Sequence, residues 1–142
     1  MAQYEVQWHL RLSAEWETLD YEFPGPVAKL PTDAAIYRWC VGGEPKYVGQ
    51  ARNLRQRING YVNPGPTQQT NQQLNKRLHL AREHGQTLRL ERLSQLWLDD
   101  NGVLCGERSL DSAALRSLLE GWAVWRLTQD GYELWNKATG KD

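Results

Sequence analysis

The sequence predicts an α/β (α+β) fold in which a small antiparallel sheet of three strands, preceded by an extra N-terminal strand, is flanked by helices. Three observations support this prediction. Two apolar and aromatic segments, 34–41 and 46–49, are joined by the glycine pair at 42–43, which is the pattern of a β-hairpin. A basic segment with helical spacing follows at once, and a mostly apolar helical pattern occupies 113–127.

The first predicted element is a half-buried strand over 4–12. Its apolar positions alternate with polar ones, which is the period of a strand with one face in water; they are Tyr4, Val6, Trp8, Leu10 and Leu12. We therefore expect an N-terminal extension at 1–33 and a core at 34–136. A chain of 142 residues is long enough to fold as one domain, 1–142.

The hairpin and the helix after it form the centre of the prediction. Segment 34–41 is rich in Ile, Tyr, Trp and Val, which suit a pleated, half-buried surface. Pro45 is expected to limit the strand ladder. Gly49 is expected where the backbone turns or comes close to another group. Arg57 and Tyr61 are four residues apart and should share one face of the following helix.

The remaining elements follow from helical spacing and from turn residues. A polar loop at 63–70 separates the first helix from a second at 71–84, which Gly85 would cap. A third core strand is predicted at 87–96, and a turn at 99–102. Asp111 or Ser112 would then cap a last helix that runs to about residue 127.

The two tyrosine-bearing segments resemble the paired motifs of the GIY-YIG nuclease family. Ala35-Ile36-Tyr37 corresponds to the first motif and Tyr47-Val48-Gly49 to the second. The run 47–61 is most similar to the N-terminal incision domain of UvrC, a nuclease of nucleotide-excision repair. Ala35 stands where the family has glycine, which adds a methyl group and restricts φ.

The resemblance implies a catalytic set drawn from the hairpin and two helices. Tyr37 would act as general base or orient the attacking water, and Tyr47 would orient the water or bind a phosphate. Arg57 would grip phosphate oxygens, and Tyr61 would donate to the phosphate or leaving group. Glu120 would hold a metal ion.

Each residue also has a plain structural interpretation. The three tyrosines could be packing residues, and Arg57 could be a surface arginine. A phenol is moreover a poor base unless a neighbouring cation lowers its pKa. The sequence alone leaves these alternatives open.

Glu120 is the acidic residue that points most clearly to a metal. It lies in a mostly apolar helical segment, where an unpaired carboxylate is costly to bury. Mg²⁺ (or Mn²⁺) would relieve that cost, since a single carboxylate suits an ion that keeps several waters. An ion pair with Arg116 is the alternative. The three histidines are not spaced as a metal set, which argues against zinc.

Charge is balanced over the whole chain but not along it. The window 46–92 holds nine basic and two acidic residues, a net charge of +7, and the rest of the chain carries −7. A basic middle between acidic flanks is typical of a local phosphate-binding surface, although solvated helix faces would look the same. The residues expected to bind substrate are Lys46, Arg52, Asn53, Arg77 and, by resemblance, Asn136.

The sequence thus predicts a Mg²⁺-dependent endonuclease that hydrolyses DNA by tyrosine-assisted attack of water. The alternative is a catalytically inactive module that binds nucleic acid or protein. The insert around 63–85, a homodimer or a partner protein would supply specificity, and repair, restriction and structure-selective roles remain open. No apolar run is long enough to span a membrane. With its two cysteines taken as reduced, the protein is expected to be cytoplasmic.

Overall fold

A computed structural model describes residues 3, 10–100, 103–105 and 110–136. The strands are β1 (Leu10–Thr18), β2 (Ala35–Val41), β3 (Glu44–Ala51), β4 (Leu88–Asp100) and β5 (Val103–Cys105). The helices are α1 (Leu54–Val62), α2 (Gln69–Glu83) and α3 (Ala113–Gln129).

The strands form one antiparallel sheet in the order β1-β4-β2-β3, with β5 paired to β4. The predicted α+β class and the three central strands β2, β3 and β4 are confirmed. The sheet has five strands, one more than the predicted three core strands and N-terminal strand. The extra N-terminal strand runs past its predicted end at residue 12 as far as Thr18, because residues 13–18 pair with residues 91–97 of β4. Residues 4–9 of the predicted strand lie outside the described residues.

The hairpin between β2 and β3 closes through a two-residue turn. Gly42 and Gly43 have φ values of 60° and 84°, as a type I′ turn requires of both central residues. Pro45 lies inside β3 and does not end the ladder as expected. The register shifts opposite it, between Trp39 and Cys40, and β3 is the last strand of the sheet, where proline is tolerated.

Helices cover both faces of the sheet and create two apolar clusters. One cluster lies under α1 and α2 and includes Tyr37, Trp39 and Ile58. The other lies under α3 and includes Ile36 and Leu119. Because β2 is covered on both sides, six of its seven residues are buried, which explains its nearly continuous apolar sequence.

Helix ends follow the capping signals in the sequence. The side chain of Asn53 accepts from the backbone N–H of Gln56 at 3.0 Å, and Ser112 begins α3 in the same way. Gly85 ends α2 with a φ of 75°, the left-handed conformation that glycine adopts most readily. The helix bounds differ from the predicted ones by a few residues, as fraying ends allow.

Within the described ranges, no helix is both long enough and apolar enough to cross a membrane.

Candidate active site

The hairpin places two tyrosines on one face of the sheet. Tyr37 pairs with Gly49, and Trp39 pairs with Tyr47. Directly paired residues of antiparallel strands point to the same side, and so do residues two apart on one strand. Tyr37, Trp39 and Tyr47 therefore share a face, as predicted for the two tyrosines. A side chain at Gly49 would overlap the ring and hydroxyl of Tyr37. Glycine is therefore needed here for a close approach, not for a turn.

Helix α1 adds an arginine and a third tyrosine to this face. The Nε of Arg57 donates to the hydroxyl of Tyr37 at 3.3 Å. The guanidinium carbon of Arg57 lies 5.2 Å from the centre of the Tyr61 ring, which confirms that these two residues share a helix face. The hydroxyls of Tyr37 and Tyr61 are hydrogen-bonded to each other. Arg57 is thus held in a defined position by two phenols.

Tyr47 forms the open side of the cluster. Its ring meets the edge of the Tyr61 ring at 6.3 Å between centres, and it is half-buried, whereas Tyr37 and Tyr61 have no exposed surface. Tyr47 is also close enough to Glu120 for the carboxylate to raise its pKa, although burial raises that pKa more. Among the three phenols, Tyr47 is the one that solvent can reach.

Glu120 joins the cluster from α3, on the other side of β3. Burial raises the pKa of its carboxyl group, while the nearby charge of Arg57 and the polar groups of Gln50 act to lower it. Glu120 makes no ion pair within 4 Å among the described residues. Across more than sixty residues of sequence, Glu120 is thus close enough to Tyr47 and Arg57 for their charges to influence one another.

The predicted alternative, an ion pair between Arg116 and Glu120, is wrong. Arg116 is buried and donates from Nε to the side-chain oxygen of Gln50 at 3.3 Å. Its Nη1 donates to the carbonyls of Leu110 and Asp111 at 2.8 and 3.0 Å. These acceptors satisfy Arg116 at the start of α3, so its charge is not used on Glu120.

The raised pKa values of the three tyrosines make them poor general bases near neutral pH. Burial raises the pKa of Tyr37 to about 12, and Arg57 only partly offsets this. Burial also raises the pKa values of Tyr47 and Tyr61. All three are therefore protonated near neutral pH. The buried hydroxyl of Tyr37 fits the positioning of Arg57 better than the predicted contact with water.

The predicted substrate-binding residues occupy several different places. Arg52 is exposed, and with Asn53 and Arg57 it lines a cavity of about 340 Å³ beside the cluster. Asn53 also caps α1. Lys46 lies 3.6 Å from Glu44 on the hairpin. Arg77 is exposed on α2 and near Tyr47, around a second cavity.

Asn136 fastens the C-terminal segment to the free edge of β3. Its side-chain amide accepts from the backbone N–H of Val48 at 2.9 Å and donates to the Val48 carbonyl at 2.7 Å. This gives Asn136 an architectural role beside Tyr47, while its contact with substrate stays a prediction.

The basic window does not form one continuous surface. Arg89 and Arg92 pair with Glu91 and Glu17, and Arg55 donates to the carbonyl of Leu30 at 2.8 Å. These arginines serve the fold. The positive charge that remains for a ligand is concentrated on Arg52, Arg57 and α2, in agreement with part of the predicted phosphate-binding surface.

Sequence reasoning missed Gln50 and Trp135. Gln50 follows Gly49 directly and contacts Arg116, Ser117 and Glu120, so it ties α3 to the edge of the sheet. Its position beside the second motif was the only available signal. Trp135 lines a cavity together with Tyr47, a placement that no local pattern could indicate.

The partly exposed oxygen-bearing side chains of Glu120 and Tyr47 suit a hard divalent cation. Glu120 supplies a carboxylate oxygen that is partly withdrawn from water, and Tyr47 supplies a phenol oxygen nearby. Mg²⁺ and Mn²⁺ prefer oxygen ligands, and Mg²⁺ commonly uses one or two carboxylates together with waters and substrate phosphates. The residues present are therefore compatible with the metal that the resemblance implies.

Comparisons with known proteins give one structural likeness. No protein-family model matches the chain, and no curated protein matches it either. A structure of a mutant of bacteriophage T4 EndoII superposes with a TM-score of 0.50 at 19% identity, over 89% of this chain and 91% of that one. The likeness and the arrangement of the two tyrosine motifs show a GIY-YIG fold. They do not single out the incision domain of UvrC.

Proposed function

We propose that the protein is a metal-dependent endonuclease that hydrolyses DNA phosphodiester bonds. The observation that carries this proposal is the meeting of Tyr47, Arg57 and Glu120, which come from three elements and are each partly exposed. A phenol, a guanidinium and a carboxylate are the groups that phosphodiester hydrolysis needs for water, phosphate and metal. The fold shared with EndoII, an endonuclease, gives independent support.

In this proposal Arg57 stabilises negative charge on the scissile phosphate. The hydrogen bond from its Nε to Tyr37, and the bond between Tyr37 and Tyr61, hold the guanidinium in place before substrate arrives. Such preorganisation is worth more than a flexible charge, because no reorganisation is needed during the reaction. Tyr37 and Tyr61 are then positioning residues.

Tyr47 orients the attacking water through its partly exposed hydroxyl. Its raised pKa keeps the phenol protonated, so it fixes the water by hydrogen bonding. Glu120 would hold Mg²⁺ (or Mn²⁺), with Gln50 fixing the carboxylate. When bound, the ion would act as a Lewis acid on the phosphate.

The wider proposal follows the resemblance. DNA is the substrate, and a homodimer or a partner protein would supply specificity, because among the described residues the basic side chains that line the two cavities are Arg52, Arg57 and Arg77. A cytoplasmic location and a role in DNA repair belong to the same proposal.

One observation favours a second function, a catalytically inactive module with this fold. The hydroxyls of Tyr37 and Tyr61 are fully buried and satisfy each other, as packing tyrosines would. Such a module would bind nucleic acid or protein through the exposed basic residues without cutting.

Plasmid nicking distinguishes the two functions. Purified protein is incubated with supercoiled plasmid in Mg²⁺, in Mn²⁺ and in EDTA, and relaxed product is measured over time. The endonuclease produces nicks with either metal and none in EDTA. Plasmid that is retarded on a gel but stays supercoiled in all three conditions would replace the endonuclease with the binding module.

A further inference from the structure

A second cavity opens directly beside the proposed catalytic cluster. It has a volume of about 230 Å³ and lies between α2, β3 and the C-terminal segment that Asn136 fastens. Tyr47 forms one wall and so belongs to both the cluster and this cavity. We call it the Trp135 cavity, after the aromatic residue opposite Tyr47. Whatever occupies it lies next to the proposed catalytic cluster.

The backbone of Trp135 is anchored at this cavity. Its backbone N–H donates to the carbonyl of Lys46, and the next residue, Asn136, bonds both backbone groups of Val48. Trp135 itself is half-buried. A partly exposed indole on an anchored backbone is a surface on which a planar group can stack.

Polar groups from one face of α2 surround the indole. Thr70, Gln73 and Arg77 follow at spacings of three and four, are all exposed, and line the cavity. The guanidinium carbon of Arg77 lies 5.2 Å from the centre of the Trp135 ring. The cavity thus combines an aromatic platform, a cation, a hydroxyl and an amide.

This combination matches the chemistry of one unpaired nucleotide. Bases stack on aromatic side chains while basic residues follow the backbone, and hydroxyl and amide groups can bond to base edges. The volume is below the roughly 300–1,000 Å³ of pockets for drug-sized ligands, so the cavity suits a single ring system. A base inside a continuous duplex is stacked on its neighbours and cannot enter.

We propose that the Trp135 cavity binds one unpaired nucleotide of the DNA strand adjacent to the scissile phosphate, with its base on Trp135 and its phosphate on Arg77. The inference rests on the proposed nucleic-acid function and names its substrate class. The protein prefers DNA that carries an unpaired nucleotide over a continuous duplex.

The test compares two labelled DNAs by fluorescence anisotropy, with the full-length protein in EDTA to prevent cleavage. One is a continuous duplex, and the other is the same duplex with a single extra thymidine. Wild-type protein should bind the bulged DNA roughly tenfold more tightly, the size of one aromatic stacking contact. Trp135→Leu should abolish this preference, and Trp135→Phe should keep most of it.

Two further variants separate stacking from charge. Arg77→Gln should weaken binding of both DNAs and flatten the salt dependence, without abolishing the preference. Trp125→Leu is the matched control, because Trp125 is an exposed tryptophan on α3 and outside the cavity; its preference should equal that of wild type. Thermal melting of each variant establishes that it is folded.

The outcomes distinguish this inference from the proposed function. Equal binding of the two DNAs by a protein that nicks plasmid, or a preference that survives in folded Trp135→Leu, overturns the cavity proposal alone. A protein that neither nicks nor binds DNA overturns both. A preference for the bulged DNA that depends on Trp135, in a protein that does not nick plasmid, supports the cavity proposal and identifies the protein as a binding module. If Trp135→Leu does not fold, Trp135→Phe and Arg77→Gln still decide, because loss of preference in the folded Phe variant would also contradict stacking.

Discussion

Glu91 and Glu120 are both withdrawn from water, but the chain treats their charges in opposite ways. Glu91 is buried on β4 and accepts from Arg38 at 2.6 Å and from Arg89 at 2.7 Å. Glu120 is half-buried and has no arginine or lysine within ion-pair distance among the residues described.

The proton affinities follow this difference. Burial opposes the charge on Glu91, yet its hydrogen bonds and the charges of Arg38 and Arg89 hold its pKa below the usual value. Burial raises the pKa of Glu120, and Arg57 and Gln50 do not reverse it. The charge of Glu91 is balanced by Arg38 and Arg89, whereas the carboxylate of Glu120 is still able to bind a cation. This difference supports a structural role for Glu91 and the functional role proposed for Glu120.

After Glu120 itself, the largest effect is expected at Arg57, the cation that faces Glu120 without being bonded to it. Arg57→Ala should lower the rate of plasmid nicking by about a hundred- to a thousandfold, as loss of one transition-state donor does. DNA affinity should change only a few-fold. Arg57→Lys keeps the charge but not the fork geometry, and it should recover only part of the rate.

Arg52→Ala is the control for this variant, because Arg52 is exposed near the same cavity and should affect binding more than rate. If Arg57→Ala weakened DNA binding and left the rate at saturation unchanged, Arg57 would be a binding residue.

Glu91→Gln should lower the free energy of unfolding by about 3 kcal/mol, because Arg38 would lose its buried partner. Since the folded pKa of Glu91 lies below the unfolded value, its stabilisation is present above about pH 4.3 and is lost as the pH falls through the folded pKa. Melting temperatures of wild type and variant should therefore converge at low pH. Equal melting temperatures at pH 7 would contradict a structural role for Glu91.

The smallest effects are expected at two glycines that differ in their surroundings. Gly49→Ala should destabilise the fold by about 1–3 kcal/mol and slow nicking, because the new methyl group would displace Tyr37 and with it Arg57. Gly121 on α3 has nothing within 4 Å of an added Cβ. Gly121→Ala should therefore stabilise the helix by about 0.5–1 kcal/mol. Denaturant unfolding measures both changes; equal stability of the two variants would remove the proposed role of Gly49.

The predictable parts of the molecule are those set by neighbouring residues. Gly42-Gly43 between two apolar segments fixed the hairpin, and the spacing of Arg57 and Tyr61 fixed their shared helix face. The resemblance added Glu120, which local spacing could not have placed near Tyr47. Whether these residues perform the predicted chemistry stays a prediction.

The remaining features depend on contacts between distant residues. The length of β1 follows from its partner β4, and Asn136 meets Val48 across 88 residues. The burial of Tyr37 depends on α1 packing over the hairpin. Periodicity within a segment reports which face is apolar, but not which other segment covers it, so Gln50 and Trp135 escaped notice.

The proposed difference between Glu120 and Glu91 is tested most directly by measuring Mg²⁺-dependent plasmid nicking for wild type, Glu120→Gln and Glu91→Gln under conditions where all three are folded. Glu120→Gln should lose at least about three orders of magnitude in rate. Its melting temperature should not fall, because the raised pKa of Glu120 means that its charge costs stability at neutral pH. Glu91→Gln should melt lower but nick at the wild-type rate. Nicking by Glu120→Gln at the wild-type rate would contradict the assignment of Glu120 as the metal ligand and the distinction between the two carboxylates.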